Sequence, residues 1–488
     1  MRRSVRATRW RRGARWCIAL GVAALMLTGC SVGTVGGVGA YAPPSTAGNV
    51  PASQFKINGD GGTAFDQLAR NSLTDVEQFW KKAYPSVSGG KPLRPLSGGV
   101  YSVVTGHPNP QEECMRKVPA AADNNAFYCS LDDAFAYDRA GLVKTVASQV
   151  GDNFVPLVFA HEFGHLIQNR LQIDNPSILL ESQADCASGA FMAAEAGSGK
   201  VTLSNRHFVI DPKTLDQVAV GMILLRDYSP HSAEDQGSHG NGFDRLSAFS
   251  DGFDHGPAYC YAANWKSRKF TERAYSTAAD EANQGNETLQ QVLNPGPAAS
   301  GGGGLQPQLN KYWSNAFKSI NKTFKSVAFK QATSPPCASS SVRLGYCAND
   351  NTVYYDYATA AKIYNSMPVI AKSPSTGRIT VSQNAPADYL LGALFSMGWG
   401  MAVRSQLGLS IDGDTALLGA ACYAGAFAES INSLTASFSL SPQDMDEASV
   451  AVMEQADQPT VFGARNTTAF ERIASFKKGY FGTLTACT

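Results

Sequence analysis

The sequence predicts a fold that mixes helices and strands and that occurs twice in one chain. Apolar residues recur at helical spacing between Phe154 and Ile167, which is typical of a buried helix. The segment from Phe127 to Asp138 alternates in the way that a strand does. Blocks from the first half of the chain recur in the second half, and about 430 residues of globular sequence are too many for one ordinary core.

The first 29 residues are predicted to be a signal peptide. Residues 1–15 carry seven arginines and no acidic residue, and residues 16–27 form an apolar run of twelve residues, too short to cross a bilayer. The sequence Leu27-Thr28-Gly29-Cys30 follows at once and resembles the bacterial lipobox, which implies cleavage before Cys30 and lipidation of its thiol. Two questions stay open: whether Cys30 is instead an unmodified residue after an ordinary secretory cleavage, and whether export uses the general secretory or the twin-arginine route.

The residues after the signal peptide predict where the protein resides. Loss of the seven arginines changes the net charge from +1 to about −6, and no basic block follows, which argues against a nucleic-acid partner. Since no later apolar run approaches eighteen residues, lipid at Cys30 would be the membrane anchor. Residues 30–65 begin with an uncharged stretch rich in Gly, Pro, Ser and Ala, where we expect a flexible tether. The expected location is the outer face of the bacterial cell membrane, in the cell envelope.

The predicted helix carries the sequence His161-Glu162-Phe163-Gly164-His165. Two histidines four residues apart lie on one face of a helix, where both imidazoles can bind a zinc ion. Glu162 is placed to take a proton from water beside the metal. Glu181 is the best candidate for a third ligand, and Asp185, one turn further along, can orient a histidine ligand. The motif also arises by chance, but only 7 histidines occur in 488 residues and two of them are here, so we predict one zinc ion per chain.

The second half of the chain repeats the first without these polar residues. The recurring blocks are Tyr128–Asp138 with Tyr346–Asp356, Phe243–Cys260 with Phe470–Cys487, Phe79-Trp80 with Tyr312-Trp313, and Asp211–Asp216 with Ser441–Asp446. At a constant offset, the residues that replace the five site positions are Met397 for His161, Gly398 for Glu162, Met401 for His165, Leu417 for Glu181, and Ala421 for Asp185. All seven histidines lie in the first unit, so the second unit is expected to keep the fold and to bind no metal.

The repeat also predicts the domains and the disulfides. We expect a signal peptide (1–29), a tether (30–65), a metal-binding unit (66–262), a linker (263–305) that contains a Pro- and Gly-rich break, and a metal-free repeat (306–488). Eight cysteines remain when Cys17 and Cys30 are set aside, an even number in an exported protein. The pairs that the internal symmetry selects are Cys114–Cys129, Cys186–Cys260, Cys337–Cys347 and Cys422–Cys487.

The first unit resembles a bacterial family of neutral zinc metallopeptidases over roughly residues 70–262. The residues that carry the resemblance are Phe127-Tyr128-Cys129, Asp132, Tyr137-Asp138, the motif from His161 to His165 with Gln168, Glu181-Ser-Gln-Ala-Asp185-Cys186, Gly189, Ser238-His239-Gly240 and Arg245. Phe243 and Asp244 depart from the pattern, because more polar residues are expected after His-Gly. The tandem copy is also a departure from the basic pattern of the family.

The resemblance implies a zincin-like α+β fold, here duplicated in tandem, and hydrolysis of peptide bonds. His161, His165 and Glu181 would bind zinc, Glu162 would act as general base, and His239 is a candidate donor to the oxyanion of the intermediate. Two assignments stay open: His239 could equally be a surface-loop residue, and Tyr137 a core residue rather than part of a strand that binds extended peptides.

The predicted function is therefore that of a membrane-anchored, extracytoplasmic zinc peptidase that acts on a peptide or protein substrate. One alternative is a cell-envelope scaffold or binding lipoprotein with a structural or vestigial zinc site. Another is a zinc amidase that acts on a non-peptide amide of the cell wall. Three roles stay open for the second repeat: binding of substrate, an interface with a protein partner, or completion of the fold of the first unit. Retention of Glu162 favours an enzyme, because a structural zinc site needs no general base.

Overall fold

The computed structural model describes residues 47–104, 124–224, 226–227, 238–271, 275, 277–294, 304–372, 379–432, 440–482 and 484–487. The predicted signal peptide, Cys30, Cys114 and the predicted tether up to residue 46 lie outside the described residues, as does most of the Pro- and Gly-rich break. Among the residues described, none of the helices combines the length and the apolar character needed to span a bilayer. The fold is mixed α+β.

The N-terminal half, here residues 47–262, consists of a small sheet and a layer of helices. Its helices are α1 (Ala64–Val87), α2 (Lys144–Gln149), α3 (Phe154–Leu171), α4 (Ser177–Glu195), α5 (Pro212–Leu224), α6 (Gly242–His255) and α7 (Pro257–Cys260). Its strands are β1 (Gly99–Val103), β2 (Ala126–Cys129) and β3 (Ala134–Asp138). One π-helical turn (Arg139–Val143) precedes α2.

The C-terminal half, here residues 304–487, follows two short helices, α8 (Ala278–Ala282) and α9 (Leu289–Leu293). Its helices are α10 (Leu305–Ser319), α11 (Tyr357–Tyr364), α12 (Asp388–Gln406), α13 (Asp414–Ile431), α14 (Asp444–Val450) and α15 (Ala469–Phe481). Its strands are β4 (Ala328–Gln331), β5 (Leu344–Cys347), β6 (Thr352–Tyr355), β7 (Met367–Lys372) and β8 (Ile379–Ala385). The β7–β8 pair forms a separate antiparallel ribbon.

The two three-stranded sheets have the same order and the same strand directions. In the first, β3 lies between β1 and β2, parallel to β1 and antiparallel to β2, with Tyr128 opposite Phe135. In the second, β6 lies between β4 and β5, parallel to β4 and antiparallel to β5, with Tyr346 opposite Val353. In both described sheets the second strand along the chain is an outer strand.

The segment for which the sequence predicts one strand is a hairpin. β2 and β3 are joined by a turn that ends at Asp133, which has a φ of 54°. The Asp133 carboxylate accepts hydrogen bonds from the backbone N–H and the hydroxyl of Ser97, at 3.0 and 2.8 Å. Tyr137 lies in the central strand, wholly buried, and its hydroxyl donates to Asp66 Oδ1 at 2.8 Å. Of the two interpretations of Tyr137, a core residue or part of a peptide-binding strand, the first is therefore correct.

Close backbone contacts at glycines hold α3, α4 and α6 together. A Cβ atom on Gly164 of α3 would lie 2.8 Å from the Cα of Ala184 on α4. A Cβ atom on Gly189 of α4 would lie 2.0 Å from the backbone oxygen of Phe249 on α6. Since no side chain fits at either place, the three helices approach closely, and residues on all three can meet at one point.

Three disulfide bonds join described residues: Cys186–Cys260, Cys337–Cys347 and Cys422–Cys487. These are the pairs that the internal repeat selects. The first and third close loops with sequence separations of 74 and 65 residues, and each ties the end of its half to the α4 or α13 helix.

Residues 47–65 pack against the rest of the N-terminal half, so this part of the predicted tether is not flexible. Val50 and Ile57 are buried, and the Val50 N–H donates to Asn71 Oδ1 at 3.0 Å. The backbone of Asn58 exchanges hydrogen bonds with that of β1, at Val100 and Ser102. The composition of the whole stretch is polar and small, but these few apolar side chains and one backbone pairing are enough to order its end.

The two halves share one core. Buried apolar residues of both halves belong to a single continuous cluster. Phe243 of α6 packs edge-on against Phe476 of α15, with ring centroids 5.7 Å apart, and Phe249 of α6 packs against Phe470 of α15 at 5.9 Å. Phe243, which departs from the family pattern, thus has an apolar role at the contact between the halves.

Candidate metal centre

The two histidines of the sequence motif lie on one face of α3, as their spacing predicts. Their ring centroids are 5.0 Å apart. His161 is buried, and the His165 side chain is 22% exposed. The helix is buried around most of its circumference, so these polar groups lie among otherwise apolar surroundings.

Glu181 of α4 faces both histidines. Its Oε2 atom lies 3.1 Å from His161 Nε2 and 3.4 Å from His165 Nε2. One donor atom from each of the three side chains lies within 4.8 Å of the others, so the group can hold a metal ion. The structure thus brings together the three predicted ligands.

Asp185 and Arg245 fix the orientation of His161. Asp185 Oδ1 lies 2.8 Å from His161 Nδ1, which leaves Nε2 facing Glu181. Arg245 of α6 binds the same carboxylate with two nitrogens, Nε to Oδ2 and Nη2 to Oδ1, both at 2.9 Å. A carboxylate behind a histidine ligand is the usual arrangement in metal sites, and here a buried guanidinium holds the carboxylate in turn.

Gln168 fixes His165 in the corresponding way. Its amide Nε2 donates to the backbone oxygen of Leu180 at 2.6 Å, which turns its Oε1 toward His165 Nδ1 at 2.9 Å. The His165 Nδ1 must then carry the proton, and Nε2 keeps its lone pair. Gln168 is part of the family resemblance, but its role depends on the position of Leu180 and cannot be read from spacing.

The donor set fits a cation. When both imidazoles are neutral and Nδ1 of each donates to Asp185 or Gln168, their Nε2 lone pairs face the Glu181 carboxylate. Three such groups repel one another unless a positive charge lies among them. Two imidazole nitrogens and one carboxylate oxygen are also the ligand types of zinc sites that keep an open position.

Charges at the site shift the pKa values of its members. Burial disfavours the imidazolium form of His161, but Asp185 and Glu181 outweigh burial and raise its pKa to about 10. Burial also opposes ionisation of Glu181, yet His165, His239 and His161 hold its pKa well below the usual value. Without metal, His161 would therefore carry a positive charge in the place that a cation would otherwise take.

Glu162 is buried beside the three ligands. Burial raises its pKa above the usual value, and the nearby His165 and His161 oppose that shift. Its carboxylate accepts a hydrogen bond from the backbone N–H of Tyr128 in β2. The predicted general base therefore lies between the metal-binding group and the outer strand of the sheet.

His239 lies at the same site and not on a remote surface loop. Its Nε2 is 3.9 Å from Glu181 Oε2, and its side chain is 19% exposed. Asp227 holds it, with Oδ1 3.2 Å from His239 Nδ1 and Oδ2 accepting the backbone N–H of His239. Sequence reasoning missed Asp227, since it lies twelve residues before His239 with no recognisable motif between them.

A second acidic group lies in the C-terminal half. Asp388, Asp444 and Glu447 are buried, with one oxygen of each within 4.8 Å of the others. Glu447 Oε2 accepts the backbone N–H groups of Tyr389 and Leu390, at 2.9 and 3.2 Å, so it caps the first turn of α12. Burial raises the pKa values of Asp388 and Glu447 well above the usual range. Helix capping accounts for Glu447, and Asp388 Oδ2 accepts the backbone N–H of Glu287 at 2.9 Å.

At the equivalent place in the C-terminal half, the site is apolar. Met397, Met401 and Leu417 are buried there, and Ala421 stands in place of Asp185. Among the described residues, only the N-terminal half combines histidines and a carboxylate in such a group.

Comparisons of the chain with protein-family models, with curated proteins and with solved structures find no match.

Proposed function

We propose that the chain is an exported zinc peptidase in which the N-terminal half hydrolyses peptide bonds and a lipid on Cys30 attaches it to the outer face of the cell membrane. The observation that carries the proposal is the convergence of His161 Nε2 and His165 Nε2 on the Glu181 carboxylate, with the buried Glu162 beside them. The export and anchor rest on the N-terminal sequence.

His161, His165 and Glu181 would hold the zinc ion. Bound there, zinc supplies a Lewis acid for the scissile carbonyl and makes a water molecule acidic near neutral pH. Asp185 and Gln168 keep both imidazoles in the tautomer that presents Nε2, so the site is arranged before binding.

Glu162 acts as the general base. Its carboxylate takes one proton from the attacking water and passes it to the leaving amine nitrogen as the C–N bond breaks. Burial raises its pKa, which makes the carboxylate a better proton acceptor at neutral pH. A structural zinc site would have no use for this group.

His239 donates a hydrogen bond to the oxyanion. Its Nε2 faces the site while Asp227 holds its Nδ1 and its backbone N–H. Burial lowers the pKa of His239, but Glu181 and Asp227 outweigh burial and raise it, which favours the imidazolium form that donates from Nε2.

The outer edge of β2 binds the substrate backbone. In the described sheet β2 pairs with β3 alone, and the N–H of Tyr128 faces Glu162 on the site's side. An extended peptide that pairs along this edge would pass Glu162 with its carbonyl groups. A tandem duplication of a zincin-like unit explains why both halves have the same sheet order and why Cys186–Cys260 and Cys422–Cys487 join matching positions.

The test is zinc content and peptide hydrolysis of the full chain, of His161→Ala and of Met397→Leu. Wild type and Met397→Leu should contain about one zinc per chain and cleave members of a random peptide library. His161→Ala should lose both. Folded wild-type protein without zinc would refute the metal site, while zinc without peptide cleavage would favour the scaffold or, if cell-wall amides are cleaved, the amidase.

A further inference from the structure

We propose that Asp446, in the C-terminal half, is a positioning residue for the metal centre of the N-terminal half. The C-terminal half would then serve as a built-in partner subunit that the site needs. This inference rests on the proposed zinc site and adds to it a reason for keeping the metal-free half.

Asp446 reaches across from α14 into the N-terminal half, where it is buried. Its Oδ2 pairs with Arg226 Nε at 2.9 Å, and its Oδ1 accepts the backbone N–H of Phe243 at 3.2 Å. It also accepts the N–H of Gly242, the first residue of α6. A carboxylate is most favourable at this end of a helix, because the first N–H groups have no partner within the helix.

The helix that Asp446 caps leads directly to a zinc ligand. Arg245 lies two residues after Phe243 on α6, and its guanidinium holds both oxygens of Asp185. Asp185 in turn holds His161 Nδ1 at 2.8 Å. The position of the α6 N-terminus therefore sets the orientation of His161.

The ion pair between Asp446 and Arg226 connects Asp446 to the other side of the site, where His239 lies. Arg226 precedes Asp227, which holds the ring and the backbone of His239. The Asp227 N–H also donates to the Gly240 oxygen at 3.2 Å, so the two short segments are paired. Asp446 thus supports the site from two directions, through α6 and through Arg226.

Packing at this contact leaves no room for movement. A Cβ atom on Gly242 would lie 3.0 Å from Asp446 Oδ1 and 2.5 Å from Ile223 Cδ1. Phe243, next to it, lies among the rings of Phe476 and Tyr480, with centroids at 5.7 and 5.3 Å. A displacement of α14 would therefore be transmitted to α6.

The reciprocal of the contact between Asp446 and α6 occurs elsewhere in the same chain. Asp216 of α5, the residue that matches Asp446 in the repeat, accepts the backbone N–H groups of Ala469 and Phe470 at the start of α15. Phe470 is the match of Phe243. Each half thus caps the other's helix with the same carboxylate, which is the reciprocal pattern of a two-fold dimer interface.

The reciprocal contact, between Asp216 and the start of α15, supports no metal ligand. Arg472 of α15 matches Arg245, but it binds Asp457 at 2.9 Å and backbone oxygens, because Ala421 stands where its carboxylate partner would be. Asp216 is therefore a matched control for Asp446: the same helix cap, without a site behind it.

The experiment compares the full chain with Asp446→Ala, with Asp216→Ala and with the double variant Arg226→Met plus Asp446→Ala. The double variant also removes the buried guanidinium that would lose its carboxylate partner in Asp446→Ala, so it tests the same contact if the single variant does not fold. The readouts are zinc affinity, peptide hydrolysis at saturating zinc, and the visible spectrum of the cobalt-loaded protein, which reports the geometry of the ligands.

Asp446→Ala and the double variant should bind zinc about 10- to 100-fold more weakly, in the range for loss of groups that orient metal ligands, and should show altered cobalt bands. Asp216→Ala should stay within about 2-fold of wild type in zinc affinity and keep the cobalt spectrum, even though its thermal midpoint falls. Equal zinc affinities and spectra for the Asp446 and Asp216 variants would overturn the inference and leave the zinc site standing. Wild-type protein without zinc would instead overturn the proposed function itself.

Discussion

The N-terminal and C-terminal halves make the same close contacts between their helices. Gly164 lies against Ala184 as Gly400 lies against Ala420, with a Cβ on either glycine within 2.9 Å of the facing Cα. The other matched glycine contacts with backbone oxygens are Gly189 to Phe249 with Gly425 to Phe476, and Gly252 to Cys186 with Gly479 to Cys422. A side chain added at any of these glycines would push the helices apart, so both halves have glycine there.

The halves differ where the polar cluster lies. The N-terminal half buries His161, Glu162 and Asp185, and the C-terminal half has Met397, Gly398 and Ala421 at those places. The scaffold therefore folds without the cluster, and buried charges seldom add net stability. The C-terminal half thus shows that this fold does not require the charged cluster.

One hydrogen-bond network has the same geometry in both halves but is charged only in the N-terminal half. In the N-terminal half, Asp133 binds Arg170 at 2.8 Å and the Tyr128 hydroxyl at 3.0 Å. In the C-terminal half, Asn351 Oδ1 accepts from Gln406 at 3.3 Å and from the Tyr346 hydroxyl at 2.9 Å. Asp133 and Asn351 both end the turn of a hairpin with a left-handed φ, 54° and 52°. Neutral amides can thus replace the ion pair.

The largest expected effect tests whether Glu162 is kept for catalysis. Glu162→Gln should lower kcat/KM for peptide hydrolysis by about 10²- to 10⁴-fold, because the amide cannot accept the proton of water. Zinc content should remain about one per chain, since Glu162 is not a ligand. Stopped assays with a cleaved library peptide and metal analysis measure the two quantities.

Glu162→Asp serves as the control, because it keeps a carboxylate and should retain part of the activity. Full activity in Glu162→Gln would show that Glu162 is not the general base.

The second effect tests whether the long disulfides act alike in the two halves. Cys186→Ser with Cys260→Ser, and Cys422→Ser with Cys487→Ser, should each lower the free energy of unfolding by about 4 kcal/mol, because the loops have similar lengths of 74 and 65 residues. Urea unfolding followed by circular dichroism measures both losses.

Zinc affinity separates the two disulfide variants. Only the loss of Cys186–Cys260 should weaken it, since Cys186 follows Asp185 on α4 and its partner lies just after α6. Equal weakening by both pairs would show that the site senses general stability and not local position.

The smallest effect concerns the Asp133 network and its dependence on pH. Burial opposes ionisation, but Arg170 and Ser97 lower the pKa of Asp133 to about 2, below the value near 3.9 of an unfolded chain. The stabilisation from a lowered pKa is complete above about pH 4 and is lost as the pH falls through 2. Asp133→Asn should thus cost about 1 kcal/mol at pH 7, after allowance for the 22% exposure of the side chain, and less at pH 2.5.

Urea midpoints at the two pH values give this difference. Asn351→Asp is the reverse change and should gain nothing at pH 7, because Gln406 offers no positive charge. A cost of Asp133→Asn that is the same at both pH values would mean that hydrogen-bond geometry, and not the charge, stabilises the turn.

Much of the candidate site follows from the sequence, because its two histidines lie within one turn of a single helix. The helical period alone places His161 and His165 on one face, and the repeat selects the cysteine pairs of Cys186 and Cys422 correctly. The hairpin of β2 and β3 was harder, since alternation does not reveal a turn in which Asp133 adopts a left-handed φ. The order of residues 47–65 depends on a few contacts that composition averages away.

The sequence by itself determined the motif, the recurring blocks and the apolar or small residues at the matching positions of the second half, because each is a pattern of residue types at fixed spacing. Only the tertiary structure decided which atoms meet. Gln168 turns toward His165 because Leu180 holds its amide, Asp227 reaches His239 from another segment, and Asp446 caps α6 from a residue 203 positions away. Helical spacing is fixed by the local backbone, whereas these contacts arise when distant elements bury their apolar faces together, and no short stretch of sequence encodes where those faces come to rest.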